Sequence, residues 1–375
     1  MSTPHRHRLP SLTGLRFGAA MLVFGVHAYA FLPLADPLDQ RLARLLLDAG
    51  DLGVSFFFVL SGFVLTWSST SAARSGGGRT VWRFWRDRLA RIYPAHLAAL
   101  VIVIGCLAVS GRIAKVNPET LVTGALLIQA WYPEETIHLG VNAVTWSLSC
   151  EVAFYLCFPA LYAGLRRLTG RGPAALYAGV VACCAAVWAV PYLAGAAVPD
   201  EHRRWFVYVF PLTRMIEFVL GIVLALLVRS GDWRGPGLPL ATGAFVVNYL
   251  LVPWLPQAGR DTAAVIAAIA LLVPAAAVAD LRGSRSPWRH PFLVWLGERS
   301  YSFYLVHLAV VVAAVTLADR AGRWPLPYAA GMAVGLLALA YGIAAILYAY
   351  VEMPALRRLT GGTRVGAPRS WTPVP

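Results

Sequence analysis

Apolar residues fall along this chain in blocks of about 18 to 25, each long enough to cross a hydrocarbon core near 30 Å thick. Polar and arginine-rich stretches separate the blocks. The pattern predicts ten helices, over 16–35, 51–70, 92–110, 144–165, 173–195, 205–228, 236–255, 261–280, 298–318 and 325–352. The fold class is therefore all-α, a polytopic membrane helix bundle of about ten transmembrane helices. One domain over 1–355 accounts for the blocks. The Gly, Pro, Thr and Arg content of the remaining 356–375 predicts a short, disordered cytoplasmic tail.

The stretches between blocks set the expected orientation. With the N-terminus in the cytoplasm, the segments 74–91, 166–171, 229–234, 282–289 and 357–369 share its side and carry most of the 32 Lys and Arg residues. Short cytoplasmic loops are enriched in this way, so both termini are expected in the cytoplasm. The opposite loops are short except for 111–143, whose apolar piece 121–130 is too short to span and reads as re-entrant or interfacial. His5 to Arg8 followed by an apolar run ending in Ala28-Tyr29-Ala30 imitates a secretory signal, but Arg16 and His27 interrupt that run. An uncleaved first helix is expected.

Composition agrees with a membrane and changes the reading of the charge. Of 375 residues, 58% are hydrophobic and 13% charged, about half the charged fraction of a soluble domain. A net charge of +14 would raise the question of nucleic acid in a soluble protein, yet here the arginines flank apolar blocks. Anionic lipid is the expected partner of that charge, and nucleic acid is not. The five cysteines lie within apolar blocks and read as small core residues. No group of His, Cys, Asp or Glu has metal-ligand spacing, so no metal is expected. Gly14–Gly18 and Gly331–Gly335 have GxxxG spacing, which reads as tight helix packing.

Ionisable groups inside spans are costly and rare, so each is a functional candidate. Arg16, His27, Glu151, Arg214, Glu217, Arg299, His307 and Glu352 stand out. Arg16 and His27 are eleven residues apart, about 20° off three full turns and about 16 Å along a helix, and so share one face. Arg16 reads either as an anion site near the cytoplasm or as an interfacial anchor. His27 lies deep, where a ring kept neutral by the bilayer could accept a proton; the alternative is a packing histidine. Arg88 and Arg91, at i, i+3, suit phosphate as paired guanidinium forks, or are accidents of an arginine-rich loop. Glu151 sits about two turns inside its span with Ser147 and Tyr155 four residues to either side. Arg214 and Glu217, also i, i+3, most simply neutralise each other. His307 is a second buried polar position, and Glu352 is either functional or a local ion-pair partner of Arg357 and Arg358.

Taken in order, several stretches resemble the acyltransferase 3 family of bacterial membrane O-acyltransferases. They are Leu12-Thr13-Gly14-Leu15-Arg16 with His27, Ser61-Gly62-Phe63 at the end of an aromatic run, Arg88-Leu89-Ala90-Arg91, and Trp146-Ser147-Leu148-Ser149-Cys150-Glu151. Tyr301-Ser302-Phe303-Tyr304-Leu305-Val306-His307 and Val351-Glu352-Met353-Pro354 complete the set. The resemblance implies a multi-pass protein of the bacterial cytoplasmic membrane. It implies transfer of an acyl group, usually acetyl, from cytoplasmic acyl-CoA (acetyl-CoA) to a hydroxyl of a sugar, glycan or secreted small molecule.

Residue by residue, the resemblance puts Arg16, Arg88 and Arg91 at the acyl-CoA, makes His27 the catalytic histidine, and makes Glu151 and Glu352 important carboxylates. Val152 stands where the family often has a second acidic residue, which weakens any two-carboxylate scheme there. No appended hydrolase-like domain is recognised, so the membrane domain is expected to bind the acceptor. The opening from Arg8 to Arg16 is similar to an actinobacterial branch that includes macrolide acylating enzymes. The rival reading is a transporter or flippase using His27, Glu151 and His307 as a path, against which stands the lack of an internal repeat. A scaffold protein would have no reason to bury so many charges.

Overall fold

In hydrocarbon every backbone N–H and C=O must be satisfied within the protein, which leaves helices as the solution for apolar blocks of this length. The computed structural model describes residues 9–32, 34–74, 80–255, 260, 263–317 and 323–360. Among them the architecture is helical, with one isolated bridge, Leu34 to Trp324. Eight helices are long and apolar enough to cross a membrane, and two shorter apolar helices, Leu238–Trp254 and Ile266–Leu281, bring the total to the expected ten. The chain is a polytopic membrane helix bundle.

The helices in chain order are α1 (Pro10–Phe31), α2 (Pro37–Leu47), α3 (Gly53–Arg74), α4 (Val81–Val109), α5 (Pro118–Leu126) and α6 (Glu135–His138). They continue as α7 (Trp146–Leu165), α8 (Pro173–Ala197), α9 (Asp200–Arg204), α10 (Pro211–Arg229), α11 (Leu238–Leu251) and α12 (Ile266–Leu281). The last four are α13 (Pro291–Glu298), α14 (Ser300–Leu317), α15 (Leu326–Leu347) and α16 (Met353–Leu359). Proline opens α1, α2, α8 and α10, where its missing N–H would have had no partner.

Two elements depart from the expected spans. The α4 helix begins at Val81, eleven residues before the apolar block, because Thr80 caps it by accepting from Arg83 N at 3.3 Å. Arg88 and Arg91 are therefore both inside this helix, as their i, i+3 spacing on one helix face implies. The α2 helix was not expected at all. Asp36 caps it, accepting from Leu38 N and Asp39 N at 2.7 and 3.2 Å, and Leu38, Leu42 and Leu46 form an exposed apolar stripe along it. That is the pattern of a helix lying in the membrane interface.

Close approach sets the centre of the bundle. A side chain on Gly62 would meet Phe218 O of α10 at 2.0 Å, and one on Gly221 would meet Val59 O of α3 at 1.9 Å. These two helices touch backbone to backbone at this crossing, which explains the small residue in Ser61-Gly62-Phe63. Of the GxxxG pairs, Gly14 packs on Trp288 O and Gly18 faces the Trp288 ring, but Gly331 and Gly335 have nothing within 4 Å. The second pair is not a packing contact within this chain, because α15 presents it outward.

The α1 helix runs through this centre. At its start Ser11 N and Oγ donate to the Asp280 carboxylate at 2.8 and 2.7 Å, tying it to the end of α12. If all ten apolar helices cross, an even number of crossings leaves both chain ends on one side. A C-terminal reporter that works only inside the cell is expected to be active; activity of one that works only outside would overturn the orientation.

Candidate active site

Arg16 projects from α1, Arg88 and Arg91 from α4, and Glu151 from α7. All four line one cavity of about 320 Å³, together with Ser61, Tyr155 and Tyr301. The i, i+3 spacing puts Arg88 and Arg91 on one face of α4, and hydrogen bonds hold the surrounding helices in register with it. The Tyr301 hydroxyl of α14 donates to Ile92 O at 2.9 Å, and Trp85 Nε1 of α4 donates to Tyr155 O of α7 at 3.1 Å. The Tyr155 hydroxyl in turn donates to Glu151 at 3.2 Å, as its four-residue spacing suggests. Ser147, the other flanking residue, bonds instead to the Tyr304 hydroxyl at 2.9 Å.

Glu352 stands one step behind this cavity. It is buried, accepts from Ser302 Oγ at 2.7 Å and faces Arg91 at 4.0 Å. A π-helical turn, Tyr348–Glu352, adds a residue to the last span. Such bulges recur at functional sites because they re-aim a side chain. The alternative reading of Glu352 as a partner of Arg357 and Arg358 is corrected here, since both arginines are exposed while the carboxylate points into the bundle. Three guanidinium groups thus meet two carboxylates, which leaves the cavity net positive and suited to an anion.

A narrower extension of about 50 Å³ leads on from the arginines. Arg16, Glu151 and Tyr301 line both spaces, and Ser147, Ser300 and Tyr304 line only the narrow one. Beyond Tyr304 lies the second polar centre. His27 Nδ1 and His307 Nε2 are 2.9 Å apart, and His307 Nδ1 is 2.9 Å from Tyr304 O. His307 is fully buried against Phe303, with ring centroids 5.3 Å apart. On the far side a cavity of about 100 Å³ is lined by Phe31, one turn past His27, and by Leu308, next to His307. The histidine pair lies between an arginine-lined cavity and a cavity at the opposite end of the bundle.

Sequence reasoning treated His27 and His307 as separate positions, and the structure joins them. The hydrogen-bond partner of the His27 ring is therefore a second imidazole. Arg214 and Glu217 neutralise each other as expected, 3.1 Å apart in the core, with Ser55 bridging them. Arg299 lies between the Trp295 and Tyr348 rings at 3.9 and 4.8 Å, which gives it a packing role.

The model of the acyltransferase 3 family, described as an acyltransferase domain, matches residues 9–347. The chain belongs to this family. It is 38% identical to the acyltransferase MdmB of Streptomyces mycarofaciens, over 95% of this chain and 94% of that protein. A proposed O-acetyltransferase of Staphylococcus aureus strain COL is 26% identical over 81% of the chain. A proposed peptidoglycan O-acetyltransferase of Bacillus subtilis, YrhL, is 27% identical over 83%. The chain spans half the length of these last two relatives. No solved structure matches it.

Membership in an acyltransferase family gives the two polar centres a chemical context. An acyl donor and an acceptor must both reach one reacting group. Ser302, Tyr155, Tyr301 and Tyr304 serve this arrangement, yet sequence reasoning did not select them as site residues. The signal was present for the last two and for Ser302: Tyr301, Ser302, Tyr304 and His307 stand at i, i+1, i+3 and i+6 of one polar run within a span.

Proposed function

We propose that this protein is a bacterial membrane O-acyltransferase that takes an acyl group, acetyl in the simplest case, from cytoplasmic acyl-CoA. The acceptor is a hydroxyl of a sugar, glycan or secreted small molecule such as a macrolide. The observation that carries the reading is the convergence of Arg16, Arg88 and Arg91 on one cavity in an acyltransferase chain. Guanidinium forks bind phosphate through charge-assisted bonds, and a CoA nucleotide carries several phosphates. The opening from Arg8 to Arg16, similar to a branch that includes macrolide acylating enzymes, favours a small secreted acceptor.

Donor phosphates dock on the arginines while the acyl-bearing arm follows the narrow extension toward His27. The rise from Arg16 to His27, about 16 Å, suits that reach. His27 takes the proton of the acceptor hydroxyl as its oxygen attacks the thioester carbonyl, then returns it to the departing thiolate. Transfer through an acyl-histidine is the second route to the same products. Glu151 and Glu352 hold Tyr155 and Arg91 and so shape the donor side.

Purified protein in lipid nanodiscs given labelled acetyl-CoA tests the reading. An acyltransferase releases or transfers the label, whereas a carrier returns the donor intact. Arg88→Ala and Arg91→Ala are each expected to weaken acyl-CoA binding by about 1.5–3 kcal/mol, the worth of a hydrogen bond to a charged group. Calorimetric titration reads this directly. Unchanged affinity in both variants would leave these residues as topology determinants only.

A further inference from the structure

The hydrogen bonds around His27 carry a direction that one atom decides. Tyr304 O, a carbonyl oxygen, can only accept, so the His307 Nδ1 facing it at 2.9 Å carries that ring's proton. With one proton per ring, His307 Nε2 is then a bare acceptor. It faces His27 Nδ1 at 2.9 Å, and two bare nitrogens would repel, so His27 Nδ1 must donate. His27 Nε2 is left with an unshared electron pair and no proton.

We infer that His307 is a positioning residue that fixes the tautomer and the ring plane of His27, leaving Nε2 as the nitrogen that takes the acceptor's proton. This rests on the proposed role of His27 and adds to it which nitrogen reacts and why. His307 is itself immobile. It is fully buried, its ring stacks on Phe303 at 19° between planes, and Phe303 stacks on Tyr341 at 4.2 Å between centroids. A buried carboxylate performs the same service in hydrolytic triads, where loss of the correct tautomer costs about 10⁴ in turnover. Here the partner is neutral, which spares the bundle a further buried charge at that depth.

The proton balance closes on these atoms. The acceptor O–H bond breaks as the new oxygen–acyl bond forms, and the proton moves to His27 Nε2. His27 is then a cation whose Nδ1–H donates a charge-assisted bond to His307 Nε2. When the acyl C–S bond breaks, the proton passes to the thiolate sulfur, and His27 recovers its resting tautomer.

Two measurements test the assignment. In the wild-type protein labelled with ¹⁵N-histidine, His27 is expected to show a protonated Nδ1 and an unprotonated Nε2; the opposite pattern would overturn the proposal without reference to any activity. In transfer assays, His307→Leu is expected to lower kcat about 10²-fold or more while KM for acyl-CoA stays within about threefold. His307→Gln, whose amide oxygen can accept from His27 Nδ1, is expected to recover at least tenfold over His307→Leu. A folded His307→Leu protein with wild-type kcat, or a His307→Gln protein no better than His307→Leu, sinks the idea. Absence of transfer in the wild type counts against the proposed function alone, because the nitrogen assignment is still read by the spectra.

Discussion

His27→Ala is expected to yield a folded, membrane-inserted protein that binds acyl-CoA and transfers nothing measurable. Losing general-base assistance typically costs about 10²–10⁴ in rate. The loss should fall on turnover, because His27 is not among the residues lining the arginine cavity. One structural side effect is foreseeable. Removing the ring leaves His307 Nε2 buried without a donor, at a cost of about 1–3 kcal/mol. His27→Gln, whose amide N–H₂ can still donate to His307, separates the two effects: stability should recover and transfer should not. Near-normal transfer by either variant would refute the role of His27 and move attention to His307.

The fold was legible wherever hydrocarbon is the deciding solvent. Block length alone located ten apolar helices, eight of them long enough to cross, since a segment with no water around it has few structures open to it. Where water is present the reading weakened. The polar start of α4 was counted outside the span because five of its eleven residues before Ile92 are charged, which lowers its hydropathy although Val81, Trp85 and Leu89 continue the apolar face of Ile92. The α2 helix was hidden by its charges, although Asp36-Pro37 with Asp39 is a helix start signal that a search for spans passes over. The π-helical turn that aims Glu352 inward leaves no pattern in the sequence.

The site was legible one helix at a time. Spacing put Arg88 with Arg91, Arg16 with His27, and Glu151 with Tyr155, because helical geometry relates residues on the same element. It could not relate elements to one another. Glu151 was measured from the far end of its span, yet its carboxylate shares a cavity with arginines that begin from the other end. His27 and His307 are 280 positions apart, and only packing of α1 against α14 brings their rings to 2.9 Å.

The pair whose purpose was read as purely structural gives the second large effect. Arg214 and Glu217 are almost wholly buried, at 1% and 2% side-chain exposure and 3.1 Å apart, and the guanidinium also faces the Phe58 and Tyr208 rings near 5 Å. Ser55 donates to Glu217 and accepts from Arg214, both at 3.1 Å, so three helical positions share one polar network across the α3 and α10 contact. Breaking such a pair strands a charge that no water can reach, whereas removing all of it exposes only packing. Arg214→Met and Glu217→Leu are each expected to lower unfolding stability in detergent by about 3–5 kcal/mol. The triple variant Ser55→Ala, Arg214→Met, Glu217→Leu should return to near the wild-type value and keep its transfer activity. Single variants within about 1 kcal/mol of wild type, the size of an exposed pair, would mean that the network is hydrated. A stable triple variant with no transfer would instead make the pair part of the chemistry, since packing would then be intact and only the charges missing.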